Sequence, residues 1–344
     1  MADFNSSNLL QAEATNYGGF TIRNDFTSDI YDAIYRESPF WATLNKKAAA
    51  ADIVRQINKT ALPTSGFSSK TALGTASPQA AATSRNILTD PGQEIKCVTG
   101  LLNWADYYRA LSQQQGQEFG DQVAIDTDDL LTSMAKTLER CLYAGNATTN
   151  PLEFNGIAAQ MASDAVRQHL FLHDLTVATA ESLSIVLPRT CAKIVGSRDI
   201  ERSVNEIHTT AAGYSLLQEE WARAHLNLSE VEYIPGVKVP GVLGADGKII
   251  PIVVSRYLDD DASPADGDNI NYWLLDKSSI EWHGVVPVGG SGFNPQIFDL
   301  VNLNHKTEQR MGLCYGTLFA RGRGQGISCL RVKAANGKAW SYTG

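Results

Sequence analysis

The segment Leu142-Tyr143-Ala144-Gly145-Asn146-Ala147-Thr148-Thr149-Asn150-Pro151-Leu152-Glu153-Phe154-Asn155-Gly156-Ile157 holds a helix end, a turn and a new start. Gly145 and Asn146 tolerate the left-handed backbone that ends helices, and Asn150-Pro151 opens a turn. Upstream, Val123, Leu130, Met134, Leu138 and Cys141 recur at spacings of three, four or seven residues. That pattern predicts a helix over 121–144, about 36 Å long at 1.5 Å per residue. Downstream the texture is mixed: helical patterns fall at 180–195, with a bend at Pro188, and at 215–224. Strand patterns fall at 206–210, 248–255, 271–275 and 312–332.

Before the long helix lies a different texture. From Ala61 to Ser84, apart from Leu62, Phe67, Lys70, Leu73 and Gln79, every residue is Ala, Ser, Thr, Gly or Pro, too little apolar area to fold alone. Strand-like pieces flank it, Asp52 to Asn58 and Gln93 to Val98, which would pair as the limbs of a long hairpin with the polar part as its tip. Limbs of about 20 residues reach roughly 70 Å, against a radius of gyration near 20 Å for a compact chain of this size, so the hairpin is expected to project. Further upstream, Ile30 and Ile34 with Tyr31 and Tyr35 outline a short amphipathic helix that Pro39 ends. Phe40, Trp41 and Leu44 form an apolar cluster too small to be its own core, which must dock elsewhere.

The chain has 344 residues, 43% of them hydrophobic, with 29 Lys+Arg against 37 Asp+Glu, a net charge of −8. It can bury a core without metal or disulfide, and its pI of about 5.3 argues against a dedicated nucleic-acid binder. Its apolar runs, such as Ile249 to Val254, are far short of the roughly 18 residues a bilayer span needs, so no membrane partner is expected. Met1 to Ser6 lacks the basic start of a secretion signal, and cytoplasmic synthesis is expected. Cys97, Cys141, Cys191, Cys314 and Cys329 are odd in number, contain no Cys-x-x-Cys pair, and read as reduced and buried.

No catalytic constellation emerges, and no cofactor or metal is assigned. His169 and His173 have the spacing of two ligands on one helical face, yet His-Leu-Phe-Leu-His lacks the intervening glutamate of a zinc helix. The run Asp259, Asp260, Asp261, Asp266 and Asp268 lacks the central glycine and closing glutamate of a calcium loop. Gly322, Gly324 and Gly326 fit no phosphate cradle and read as a hairpin turn between 316–320 and 327–330, with Arg321 and Arg323 available to a phosphate or a neighbouring acid. A metal-dependent enzyme built on these histidines and aspartates is the weakest reading, and a non-enzyme is expected. Two appendages that cannot be stable alone imply that the chain's ligand is its own copy.

The order of elements, with the turn quoted above, Gly247 to Leu258 and Tyr272-Trp273-Leu274-Leu275-Asp276, resembles the major capsid protein of tailed bacteriophages. That family has the Johnson fold shared with encapsulins. The resemblance implies an α+β chain with an N-terminal arm (1–49), an extended β-hairpin loop (50–100), a peripheral domain (101–156) with a spine helix (121–144), an α/β axial domain (157–298), and C-terminal strands (299–344) returning to the peripheral domain. It implies self-assembly into pentamers and hexamers of an icosahedral shell around double-stranded DNA, in a virion assembled in the host cytoplasm. Its partners would be copies of itself, a separate scaffolding protein since no long N-terminal extension precedes the arm, a portal, decoration proteins, and DNA held by weak non-specific contact. An encapsulin-type cargo compartment is the alternative. Inter-subunit contacts are expected at Ile34, Phe40, Trp41, Arg55, Phe67, Lys70 and Arg85. Some relatives cross-link through a loop lysine, and Lys70 is the only one in 61–84, but no matching Asn and acid can be assigned.

Overall fold

A computed structural model describes residues 39–55, 57–59, 87–89, 92–105, 122–161, 169–195, 203–226, 228–234, 237–244, 247–260, 268–288, 290, 292–300 and 307–335. The expected helix around Ile30 and the hairpin tip at 61–84 lie outside them.

Two hydrophobic cores organise the described residues. The first lies under a five-stranded sheet of β1 (Asn45–Ala48), β6 (Lys96–Ala105), β13 (Ile280–Val285), β14 (Gln296–Leu300) and β15 (Thr307–Ala320). β15 is its spine, pairing antiparallel with β6 along one edge and with β13 and β14 in tandem along the other. Helix α1 (Pro39–Thr43), the long helix α2 (Gln122–Ala144) and the short α3 (Ile157–Gln160) supply the other side of that core. α2 matches the expected long helix, and Met134, Leu138, Cys141 and Leu142 are its buried stripe. It approaches closely where the sheet has no side chains: a Cβ at Gly312 would lie 2.4 Å from Met134 Sδ, and one at Gly100 2.4 Å from Leu130 Cδ1.

The second core fills a seven-stranded mixed sheet in the order β7 (Leu170–Asp174), β16 (Ile327–Ala334), β12 (Asp268–Leu275), β8 (Glu206–Thr209), β11 (Ile249–Val254), β10 (Val237–Leu243) and β9 (Ser229–Ile234). Helices α4 (Leu183–Val195, Pro188 within it) and α5 (Ala211–Arg223) contribute to it. α5 starts four residues before its apolar pattern because Thr210, read from sequence as the end of a strand, is its cap: the hydroxyl accepts from Gly213 N at 3.0 Å and donates to Asp260 at 2.6 Å.

Between β1 and β6 the chain runs out and back. β2 (Ile53–Val54) pairs antiparallel with β5 (Gln93–Glu94), and β3 (Ile57–Lys59) with β4 (Ile87–Thr89). Lys96 to Val98, read as hairpin limb, belong to β6 instead.

The C-terminal region differs most from the sequence reading. β15 and β16 do not form a hairpin; β15 belongs to the five-stranded sheet and β16 to the seven-stranded one. The crossing is made by α6 (Arg321–Gly324), where Gly322 and Gly324 take φ of +65° and +74°, open to glycine at little cost. β13 and the start of β14, placed by sequence within 157–298, lie in the sheet that α2 covers. The chain changes sheets at Asp276, whose side chain accepts from Ser278 N at 3.1 Å and so caps the turn into β13.

Candidate subunit interface

Alternation along the strands gives the five-stranded sheet two unlike faces. Gly312, Cys314, Gly316 and Leu318 point toward α2 and the core. Met311 and Tyr315 point the other way, beside their register partners Leu101 and Cys97 on β6, Phe298 on β14 and Val285 on β13, as does Leu313, between the polar Thr99 and Gln296. This outer face is apolar and wet: Leu101 is 60% exposed, Val285 43%, and Phe298, Met311 and Leu313 are half-buried, while α1, α2 and α3 lie on the opposite side. A sheet with both faces apolar is built to be covered twice.

A charged corner adjoins it next to β1. Lys47 Nζ (2.7 Å) and Arg321 (2.6 Å) converge on Glu281 Oε1, and His283 Nε2 lies 3.3 Å from Oε2. Burial pushes the Glu281 carboxyl up, but the bonds from Lys47 and Arg321 outweigh it and hold it below the usual carboxylate range. Arg321 is thereby held by an acid of its own chain.

A second polar assembly is buried where the two sheets meet. Glu139, on α2 and 0% exposed, accepts from Phe40 N (Oε1, 3.1 Å) and Trp41 N (Oε2, 2.9 Å), amides that α1 cannot satisfy internally. One turn on, Tyr143 Oη lies 2.7 Å from His208 Nδ1, and His208 Nε2 lies 3.0 Å from Glu206 Oε2. Lys277 closes on Glu206 Oε1, and Tyr233 bridges Glu206 (3.2 Å) to the Thr43 hydroxyl (2.9 Å). Burial pushes Glu206 up, but His208 and Lys277 pull it further down, below its usual 4.5. Its stabilising contribution is therefore present at neutral pH and lost as pH falls through 4.5 and below. Glu206→Gln leaves Lys277 without its counter-charge and is expected to lower unfolding stability by about 3 kcal/mol, read by urea titration at pH 7. No measurable shift in the urea midpoint would show the pair to be dispensable.

The sequence-predicted contact residues divide three ways. Ile34, Phe67, Lys70 and Arg85 lie outside the described residues. Arg55 is exposed at the base of the hairpin. Phe40 and Trp41, expected at a subunit contact, are corrected to core residues: they are 1% and 6% exposed, with Phe40 against Tyr143 and His208 and Trp41 edge-on to Trp282. The cluster does dock, but on its own chain. Of the five free cysteines four are buried, and Cys97 is exposed on the outer sheet face, against expectation.

The histidine pair is also rearranged. His169 and His173 flank and occupy strand β7, not a helix, so four residues separate them by about 13 Å. His169 Nδ1 bonds the Ile327 carbonyl (3.0 Å) and His173 Nε2 the Glu181 carbonyl (2.8 Å). In the acidic run, Asp260 is a buried anchor accepting from Thr210 and from Asn271 N, at 2.6 and 3.2 Å. Sequence reasoning missed the outer sheet face, although its signal is present: Leu101-Leu102 and Met311-Gly312-Leu313 put apolar residues where a one-sided strand alternates with polar ones.

No protein-family model matches the chain, and no curated protein matches it. Solved structures do. A chain of the Cyanophage A-1(L) capsid asymmetric unit is 13% identical with a TM-score of 0.61, covering 90% of this chain and 96% of that one. The holo-SrpI encapsulin complex from Synechococcus elongatus PCC 7942 is 11% identical at a TM-score of 0.60 over 99% of both chains. A chain of Microbacterium phage Oxtober96 is 12% identical at 0.58, covering 94% of this chain and 98% of that one. The protein has the fold of phage capsids and encapsulins, the Johnson fold.

Proposed function

We propose that the protein is the major capsid protein of a tailed bacteriophage, a tile that assembles into pentamers and hexamers of an icosahedral shell around double-stranded DNA. The observation that carries this reading is the outer face of the five-stranded sheet, apolar from Leu101 to Val285, on a chain that also carries a hairpin whose tip, by composition, cannot bury itself. Each solves the other's problem when the hairpin of one copy lies across the sheet of the next, and repetition around a closed lattice multiplies modest contacts.

In this reading the sheet under α2 is the peripheral domain, now including β13 and β14, and the seven-stranded sheet with α4 and α5 is the axial domain that gathers around the symmetry axes. The N-terminal arm, 1–49, includes α1 and β1, and Arg55 stands where the hairpin leaves the body. A net charge of −8 suits a container that must not grip its DNA. A separate scaffolding protein, a portal and decoration proteins complete the assembly, which forms in the host cytoplasm and ends in the virion. The chain acts as a structural protein and not as an enzyme.

The encapsulin reading keeps the tile and changes the contents, and the encapsulin's full-length match favours its retention. Electron microscopy of purified protein tests both: shells are the expected result, and one small fixed size with a co-purified enzyme would favour the compartment. Discrete subunits at high concentration, with scaffold supplied, would overturn both. Leu101→Asp is expected to leave the fold intact and reduce shell yield at least tenfold by sedimentation, because it places a charge on the surface to be covered.

A further inference from the structure

We infer that the seating of α1, the root of the N-terminal arm, on the long helix is coupled to uptake of one proton by Glu139, so that the root sits tightest in mild acid and loosens as pH rises toward neutrality. The inference goes beyond the shell reading and stands without it.

The geometry is that of a carboxyl whose charge has no counter-ion. Glu139 is 0% exposed, and among the described residues no lysine, arginine or histidine pairs with it. α1 offers only the two amides, and its own side chains Phe40, Trp41 and Thr43 do not titrate. From β1, Lys46 passes 4.4 Å over the Trp41 ring to Asn294 instead. On α2 the facing group is Tyr143, and behind it stand His208 and Glu206 on β8, Tyr233 on β9, and Lys277, whose charge Glu206 takes.

A proton on Glu139 completes this chain. The carboxyl O–H donates to Tyr143 Oη, which the Ser255 hydroxyl also meets, Tyr143 donates to His208 Nδ1, and His208 Nε2–H donates to Glu206. The carboxyl's carbonyl oxygen still accepts an α1 amide. Without the proton, Glu139 and His208 Nδ1 compete for the single Tyr143 hydrogen, and an unpaired charge stays buried. Burial accordingly pushes the Glu139 carboxyl from 4.5 up to about 7, against the bonds from Trp41, Phe40 and Tyr143 that pull it down. When α1 lifts away, water reaches the carboxyl and it returns to the ordinary range. The seated form thus holds a proton that the lifted form releases, and seating weakens tenfold per pH unit between those limits.

Hydrogen exchange of the Phe40 and Trp41 amides, corrected for the intrinsic pH dependence of exchange, measures the seating in the full-length chain, assembled or free. Protection is expected to fall roughly fortyfold from pH 5 to pH 7 in the wild type and to stay level in Glu139→Gln. A change under threefold in the wild type, or an equal fall in the variant, would overturn the inference. Isotope-edited infrared titration of the Glu139 carboxyl in the unmutated protein gives a second reading that does not depend on the variant folding. A midpoint near neutrality is expected, and one near 4.5 refutes the coupling. Neither measurement requires shells, so failure to assemble and failure of the proton coupling are distinguishable.

Discussion

Deleting Pro63 to Thr83 is expected to leave a folded subunit that no longer builds shells. The deletion starts beyond the last described stem pair, Lys59 with Ile87, so β2–β5 and β3–β4 keep their partners and a short loop closes them. The segment removed is mostly small and polar, and the described side chains of both core clusters come from other parts of the chain. Closing a shorter loop costs less entropy, so stability is expected to hold within about 1 kcal/mol or rise slightly. Assembly is another matter. If the tip covers the outer sheet face of the next copy, its loss leaves that apolar face wet on every subunit at once, and the deficit repeats at each lattice contact. Velocity sedimentation is expected to show subunits or small oligomers in place of shells, with an unchanged far-ultraviolet circular dichroism spectrum. Full shells from the deleted chain would show that the hairpin is an ornament. A collapsed spectrum would place the segment in the subunit's own core, against its composition.

That a tip with no described structure can be assigned a role at all reflects what sequence does and does not encode. The long helix was legible because its stripe, Leu130 through Cys141, is a local property repeated without interruption. The apolar cluster at Phe40 was legible as needing cover, but its amide's partner is Glu139, 99 positions away, and no local pattern announces such a partner. His169 and His173 illustrate a degeneracy: residues four apart share a face on a helix and on a strand alike, and only spacing in space separates a ligand pair from two ordinary histidines. The glycines at 322, 324 and 326 mark a turn correctly, yet whether the strands either side pair with each other or part into different sheets depends on β13 and β12, which lie far from the glycines in sequence. The outer sheet face was readable in principle from Leu101-Leu102. It was missed because a strand apolar on both sides looks the same whether its second cover comes from its own chain or another.

Gly316→Ala is expected to be among the most damaging single changes in the chain, although it adds one methyl group. The indole of Trp282 lies flat on Gly316: a Cβ there would stand 2.3 Å from Cζ2, 2.4 Å from Cε2 and 2.6 Å from Nε1. Ordinary van der Waals contact begins at 3.4 Å, so the ring must move by about 1 Å. It has nowhere to go, since Trp41 meets it edge-on at 4.7 Å and Phe154 at 5.2 Å, and it is 1% exposed. Those two rings belong to α1 and to the turn that follows the long helix, so a displaced Trp282 disturbs the arm root, the turn and the sheet together. Overpacking of a rigid group in such a site costs about 3 kcal/mol. Trp282→Leu removes the obstruction, and since Nε1 has no hydrogen-bond partner its loss orphans no acceptor. The single Trp282→Leu change is expected to cost about 2 to 3 kcal/mol in lost contact and residual cavity. With the ring gone, the methyl group of Gly316→Ala enters space that the smaller leucine side chain leaves, and the double variant is expected to be more stable than the sum of the two singles by about 1 kcal/mol or more. Urea unfolding followed by tryptophan fluorescence, with circular dichroism as the second probe, measures all three. Additive costs, or a Gly316→Ala variant whose urea midpoint matches the wild type, would mean that the indole does not rest where β13 and β15 hold it, and that the first core is assembled differently.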